Sequence, residues 1–342
     1  TQTCFAWLTR ARYVQMPTPW ALRCSDHYIV SLAELCRWLA AQAKGLGVRI
    51  EYACAAVAPL MEGRDVVGVR TGDKGLLSDG RPGSDYQPGM EIRADYTLVA
   101  EGAYGSLTQQ LHELYGLQHG AQPPSYGLGV KELWKIAPTK HAEGRVLTTL
   151  GWPLDSASYG SGFLYHWDQN RVALGLVVGL NDANPYTDPH AALQQWKTHP
   201  ALRPILEGGE RLGFGAKVMN LGGWPSIPQL TFPGGALLGC SAGLANPANG
   251  RGIDNAIASG IEAAEAFIEA CESASCSSLE GYPRRMRGSS LYRELYRVRN
   301  IQPGFRFGGV IGVLNAWLGG AILRGEAPWA WRTKPDHTSF KS

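Results

Sequence analysis

In the stretch SLAELCRWLAAQAKGLGVRIEY, Leu32, Leu35, Cys36, Leu39 and Ala43 recur at helical spacing and predict one amphipathic helix. Ser31 with Glu34 three residues on forms a capping box at its start, and Gly45 and Gly47 stop it. The pattern then changes: VRIEYACAAV reads as a strand, and VVGVRTGD as another beyond the turn-like MEGRD. A glycine- and aspartate-rich excursion leads to YTLVA, a buried strand that meets a helix through the acid-glycine turn EGAYG. From about Ser125 to Gly234 the texture is aromatic and β-rich (YGLGVKELWKI, VLTTLGWPLD, GFLYHWD, RVALGLVVGL), with a short helical piece PHAALQQWKTHPALRPIL near its end, and predicts a sheet of its own. Strand, loop and helix return in GALL, GCSAGLANPANGRG and IDNAIASGIEAAEAFI, where Ile257, Ile261, Ala264 and Ile268 make one apolar stripe. A serine-rich turn, the basic amphipathic YPRRMRGSSLYRELYRVRN and the glycine-rich apolar FRFGGVIGVLNAWLGGAIL follow, and no internal repeat is visible.

With 342 residues and 44% hydrophobic composition, the chain can bury a large core in one big or two modest domains. A net charge of +3 gives no reason to expect nucleic acid as a partner. The seven cysteines are odd in number, scattered and without a C-x-x-C pair. That argues against a disulfide framework, a zinc site or an iron-sulfur site, and for a reducing compartment. The opening TQTCFAW has no initiator methionine, charged region or cleavage site, so no signal peptide is expected and the chain is expected to be a fragment.

Two stretches carry candidate chemistry. The loop GCSAGLANPANGRG fits no phosphate-loop spacing, yet it aims a helix N-terminus at whatever it encloses, and the free N–H groups there favour a phosphate, a carbonyl or a reduced flavin ring. The plainer alternative is a glycine-rich turn on an ordinary β-α unit. The apolar run Phe305 to Leu323 is long enough, at about 1.5 Å per residue, to approach a bilayer's roughly 30 Å core. Its five glycines would cost a helix about 4–5 kcal/mol, and Arg306 and Asn315 lie inside it. A bent interfacial loop or half-helix is therefore expected rather than a span, with Arg284, Arg285, Arg287, Arg293, Arg297, Arg299 and Arg324 suited to anionic headgroups. The alternative is a buried core loop.

The run GCSAGLANPANGRGIDNAIASGIEAAE resembles the third FAD contact segment of the electron transfer flavoprotein-ubiquinone oxidoreductases, membrane-surface flavoenzymes with an FAD, an iron-sulfur cluster and a ubiquinone site. YIVSLAELCRWLAAQAKGLGVRI, YTLVAEGAYGSLTQQL, GWPLDSASYGSGFLYH, SIPQLTFPGGALLGCS, ELYRVRNIQPGF and ILRGEAPWAW resemble the same family in its order. The resemblance implies an α/β (α+β) fold: an incomplete FAD-binding, three-layer Rossmann-like domain of the glutathione-reductase type, carrying an inserted β-rich ubiquinone-binding domain. Residues 1–124 and 235–290 would form the FAD-binding part, 125–234 the quinone part, and 291–342 a membrane-associated segment leading to an iron-sulfur region. Glu101, Gly102 and Gly105 would make the acid-glycine turn near FAD. Gly239, Cys240, Ser241 and Gly243 would line its ribityl-pyrophosphate side, with Asn246 beside the ring and Gly252 and Asn255 opening the helix that faces the pyrimidine end.

Asn255 stands where a threonine is expected, and Cys240-Ser241 where wider flavin monooxygenase relatives carry an aspartate. A lone cysteine at a strand end is expected to be packing rather than redox. Gly160 matches the first of two glycines that approach the quinone head group, Ser161 occupies the second place, and Gly162 is the expected substitute. No side chain is implied as catalytic, since electrons pass through FAD. Implied partners are electron transfer flavoprotein, ubiquinone and a membrane surface reached through residues 305–323, with no nucleic acid. The implied location is peripheral or monotopic on an inner membrane: the cytoplasmic face of a bacterial membrane, or the matrix face in a mitochondrion. Neither a G-x-G-x-x-G after an early strand nor cysteines beyond Cys276 for a [4Fe-4S] cluster are present, which implies the middle of the family's protein. The other expectations are a geranylgeranyl reductase or FixC-like flavin oxidoreductase, and a non-catalytic membrane- or partner-binding remnant.

Overall fold

The computed structural model describes residues 1–23, 27–155, 158–182, 184–272 and 279–339. In chain order the elements begin with β1 (Gln2–Leu8), β2 (Tyr13–Met16), α1 (Leu32–Gly45), β3 (Ala56–Glu62), β4 (Asp65–Thr71), β5 (Lys74–Leu76), β6 (Pro82–Gln87), β7 (Glu91–Arg93), β8 (Thr97–Val99) and α2 (Ser106–Tyr115). The β-rich half holds β9 (Tyr126–Lys135), β10 (Arg145–Gly151), β11 (Gly160–Trp167), β12 (Arg171–Gly179), α3 (Pro189–Lys197), α4 (Arg203–Leu206) and β13 (Glu210–Asn220). After it come β14 (Thr231–Phe232), β15 (Gly235–Leu237), α5 (Ile253–Glu272), α6 (Gly281–Gly288), α7 (Ser290–Val298), α8 (Ile301–Gly304) and α9 (Gly309–Ala321).

A seven-stranded sheet in the order β13-β9-β12-β11-β10-β1-β2 carries one core. The apolar run RVALGLVVGL becomes β12, flanked by β9 and β11 and buried along nearly its whole length, as a central strand covered on both faces must be. Strand β11 alternates buried and half-buried positions, the signature of one face turned inward. Helix α3 packs on this sheet through fully buried Trp196, whose Nε1–H donates to Thr149 Oγ1 at 2.9 Å. The second core joins β8, β14 and β15 to α2, α5, α6 and α7. There β15 runs parallel to β8 and continues into the glycine loop, while β8 continues into the acid-glycine turn, so both loops emerge from the same end of one small sheet.

Several elements differ from the sequence reading, each for a local reason. Residues 2–16, expected with the flavin half, form the β1–β2 hairpin of the large sheet: β1 pairs in parallel with β10, from Gln2 opposite Arg145 to Leu8 opposite Gly151. Residues 231–232, expected with the β-rich part, pair instead with β15. The strand expected over VRIEYACAAV begins only at Ala56, because β4 offers a pairing edge there and no strand pairs with residues 48–54. The glycine-rich excursion contains the small β5–β6 hairpin. Helix α1 starts as expected, with Ser31 Oγ accepting the Glu34 N–H, but buries no residue.

Helix α5 inverts its expected face. Its apolar stripe points outward, with Ile261 53% exposed, while the small residues Asn255, Ser259, Ala263 and Ala266 are buried. Small side chains let the helix approach the loop closely enough for the Gly239 N–H to donate to Ser259 Oγ at 3.0 Å. An exposed side chain makes few contacts to lose, so Ile261→Ser should change the unfolding free energy by no more than about 0.5 kcal/mol. Overpacking with Ala263→Leu should cost about 1–3 kcal/mol. Urea unfolding of both variants checks this, and a large loss at Ile261 would mean that the stripe is covered.

His166 on β11 is 1% exposed; its Nδ1 accepts the Ala142 N–H at 3.2 Å and its ring meets that of His141 edge-on. Burial first, then the His141 and Arg145 charges, push its pKa down to about 4 from an unfolded value of 6.5. The unfolded chain therefore takes up the proton first as pH falls, and stability present above pH 6.5 is lost towards pH 4 by up to about 3 kcal/mol. In His166→Asn that part of the pH dependence should vanish, as denaturant midpoints measured across the window will show.

Candidate functional site

The acid-glycine turn and the glycine loop are tied together at their bases. Ser241 Oγ accepts the Glu101 N–H at 2.9 Å and donates to the Gly102 carbonyl at 3.2 Å. The Glu101 carboxylate accepts the Leu107 N–H (3.3 Å), the Thr108 N–H (2.7 Å) and the Thr108 hydroxyl (2.9 Å), so it caps α2 from within the chain. Gly105, the N-cap, has no Cβ to obstruct that carboxylate as it folds over the turn. Gly102 and Gly243 hold left-handed φ of 90° and 69°, which brackets the junction with residues free to turn sharply. Cys240 is half-buried; burial pushes its thiol up and the Lys217 charge offsets this only in part, consistent with packing. Ser241 and Gly243 border a polar cavity of about 70 Å³ with Thr108, His112, Asn220 and Tyr126. That is room for water.

Further along, the loop is organised by its asparagines. Asn246 Oδ1 accepts the Ala248 N–H and Asn249 Oδ1 accepts the Arg251 N–H, while the Asn246 N–H closes onto the Arg251 carbonyl at 2.7 Å. Asn255 Nδ2 donates to the Leu244 carbonyl at 2.6 Å and so fixes the start of α5 to the loop. Gly252 lies against Cys240 and Ala245. Asn246, expected to point at a flavin ring, is 1% exposed and directs an amide hydrogen to Glu294 Oε1 at 2.7 Å, a carboxylate on α7. The same oxygen accepts Arg251 at 3.2 Å, and Arg251 also meets the ring of His27. Glu294, Arg251 and His27 border a cavity of about 570 Å³ at the N-terminal end of α5, together with Asp254, Arg293 and Arg297. Its size falls within the roughly 300–1,000 Å³ of small-ligand sites.

Sequence reasoning missed Arg251, Glu294 and His27. Arg251 left a signal, since it is the only charged residue between Leu238 and Ile253. Glu294 left none, because its place at the loop depends on how α7 packs.

The quinone-type segment sits at the start of β11, where Gly160, Ser161 and Gly162 pair with Val178, Val177 and Leu176. At Gly162 a Cβ would lie 2.5 Å from the Trp196 indole and 2.6 Å from Thr149 Oγ1. The protein itself fills that space. Gly160 and Ser161 are half-buried. Just before them, the Tyr159 hydroxyl donates to the Pro247 carbonyl in the glycine loop at 2.8 Å, and its ring packs edge-on against Phe305 at 5.2 Å between centroids. Burial raises the Tyr159 phenol well above its ordinary range, so it stays a donor.

Phe305 opens the apolar stretch. Residues 305–307 make a 3-10 turn and α9 follows, a half-helix as expected, with Val310, Ile311, Leu314, Trp317 and Leu318 exposed and Val313 and Ala316 buried. Among the described residues no helix is long and apolar enough to cross a membrane. Asn315, inside the run, donates to the Asn300 carbonyl at 2.9 Å.

The fold is that of a group of flavin-dependent enzymes. It superposes on a geranylgeranyl bacteriochlorophyll reductase-like protein from Thermoplasma acidophilum with a TM-score of 0.65 at 17% identity, covering 94% of this chain and 79% of that one. With the flavin-dependent brominase Bmp2 triple mutant the TM-score is 0.57 at 14% identity, over 95% of this chain and 75% of the other. These likenesses show the fold alone. Sequence similarity goes further: residues 126–219 match the family model described as ETF-QO, ubiquinone-binding. Over 96% of its length the chain is 40% identical to the mitochondrial electron transfer flavoprotein-ubiquinone oxidoreductase of Oryza sativa subsp. japonica, of which it covers 57%. The chain is therefore homologous along nearly its whole length to part of the electron transfer flavoprotein-ubiquinone oxidoreductases, and spans little more than half the length of the curated relatives it matches.

Because Glu101 caps α2, Glu101→Ala should destabilise the chain by about 1–2 kcal/mol, the upper part of the range for a lost helix cap. An unchanged urea midpoint would show that the carboxylate is not needed there.

Proposed function

We propose that this chain supplies the flavin-ring side and the quinone-facing part of an electron transfer flavoprotein-ubiquinone oxidoreductase, which takes electrons from reduced electron transfer flavoprotein and delivers them to ubiquinone. The observation that carries this reading is the meeting at Tyr159. Its hydroxyl binds the glycine loop, its ring binds the apolar segment, and the next residue is Gly160. Flavin, quinone and membrane functions are expected in three stretches far apart in sequence, and here they share one residue. The 40% identity and the quinone-binding family model favour this reading over a geranylgeranyl reductase-like one, whose support is fold likeness at 17% identity.

The residues present fit the ring end of an FAD better than its diphosphate end. The cavity at the start of α5 has the volume for a flat ring, and the Arg251 guanidinium and the first N–H groups of α5 would favour negative charge there. Glu294 orients both Arg251 and Asn246, and Asn255 holds the helix at a fixed angle to the loop. When bound, FAD supplies the one-electron chemistry; these side chains hold and orient. At the diphosphate end the fit is poor, since the Glu101 carboxylate already occupies the N-terminus of α2. No group of His, Cys, Asp or Glu among the described residues could hold a metal ion, so no step is assigned to an iron-sulfur cluster. The exposed face of α9 is read as resting on an inner-membrane surface, through which ubiquinone arrives.

With no G-x-G-x-x-G to grip the diphosphate, the 342-residue chain should purify with little or no FAD. A yellow protein with a stoichiometric flavin spectrum would sink this. Extending the reading frame in both directions should restore FAD uptake and reduction of a soluble quinone analogue by reduced electron transfer flavoprotein. If an extended protein binds FAD yet reduces no quinone, the functional reading falls.

A further inference from the structure

The arginines grouped by the sequence have different employments in the fold. Arg285 is engaged by Glu262, Glu265 and Glu269 of α5. Arg299, 3% exposed, is sunk among the carbonyls of Tyr296, Gly325 and Ala327. Neither can serve an outside anion. Arg293 and Arg297 lie one turn apart on α7, are exposed, and have no ion-pair partner among the described residues. Both line the cavity of about 570 Å³, as do Ser290 of the same helix and Arg251. Of the two carboxylates on its wall, Asp254 and Glu294, the second is already taken by Arg251 and Asn246. With three arginines against two carboxylates the cavity wall is net positive, and Arg293 and Arg297 are the two arginines that Glu294 does not engage.

This basic side adjoins the apolar helix. Trp20 borders the cavity and also packs against α9 at Gly320, where no Cβ would fit beside its indole. The stem of Arg297 lies against Gly325, just beyond α9. The nearby end of α9 shows Trp317, Leu318 and Ile322, the last 70% exposed. A ligand matching both surfaces has a phosphate-bearing head and an apolar tail.

We propose that the Arg293–Arg297 side of this cavity is a headgroup site for an anionic phospholipid, with the phosphate between the two guanidiniums, the Ser290 hydroxyl donating to it, and the acyl chains along the exposed face of α9. The site rests on the reading of α9 as membrane-facing and adds a chemical preference to it. It takes the α7 wall of the same cavity whose Arg251 and Asp254 face the flavin in the reading above.

Flotation of the full 342-residue chain with phosphatidylcholine vesicles, with and without admixed phosphatidylglycerol, tests it. The chain should bind the anionic vesicles more tightly, and R293Q/R297Q should lose on the order of 25-fold of that preference while keeping its binding to neutral vesicles, at about fivefold for each arginine near an anionic surface. R284Q/R287Q removes the same charge from exposed positions off the cavity and should keep most of the preference. Thermal unfolding verifies that both variants fold. If the two variants lose equally, diffuse surface charge explains the binding and the site is wrong; if R293Q/R297Q keeps its preference, the site is wrong as well. Inorganic phosphate that raises the melting temperature of the wild type but not of R293Q/R297Q, without any vesicle preference, would replace the lipid site by a free-anion site. Wild-type chain that floats with neither vesicle defeats the membrane reading itself, and the lipid site with it.

Discussion

One hydrogen bond, from the Tyr159 hydroxyl to the Pro247 carbonyl, joins the two halves of the molecule where their functions are expected to meet. Each half has its own core. Pro247 is buried with its ring beside Gly223, and its carbonyl is held by a residue from outside the loop. Tyr159 reaches it from the start of β11, and Phe305 braces the ring from the far side. Since the phenol stays protonated, the contact does not switch over the ordinary pH range. The loop is stiffened from within by its asparagine turns and from beyond by Glu294, which leaves it pre-shaped rather than adaptable.

Glu294 shows how a loop of small residues becomes charged in a controlled way. A lone arginine in a glycine-rich loop would sample many rotamers and place its charge loosely. Engaged by Glu294 on one side and the His27 ring on the other, Arg251 presents a located positive group, and Asn246 is held by the same carboxylate oxygen. Asn246 is thereby tied, through Glu294, to the cavity that Glu294 and Arg251 line.

What the sequence made legible was local. The Ser31 capping box and the continuous apolar run of β12 each follow from neighbours within a few residues, and each appears as expected. What it hid depended on distant partners. The membership of β1 in the large sheet is decided by pairing with β10 more than a hundred residues away, and the periodicity of QTCFAWL says nothing about which edge will accept it. The face of α5 was hidden for another reason. The loop base needs close approach, so the small residues turn inward and the isoleucines outward, against the usual rule that the larger apolar stripe is buried. In the candidate site, the glycines and asparagines could be read from the loop itself, but the acid that organises them lies on α7.

The outward isoleucines of α5 belong to a wider imbalance. Helix α1 buries nothing although it has a clear apolar face, and β8 ends its three-stranded sheet with an unpaired edge carrying exposed Leu98. Fully burying a leucine or isoleucine is worth about 1.5–3 kcal/mol, so surfaces of this kind are sites where cover would stabilise the chain. An open parallel edge at β8 accepts a further strand, and helices with bare apolar faces can cover it on both sides. The relatives, of whose length this chain spans little more than half, have residues to place there. If they do, the cover would lie next to the two loops that leave β8 and β15 from one end of the sheet. That is where a ligand held at the carboxyl ends of parallel strands would find its second wall.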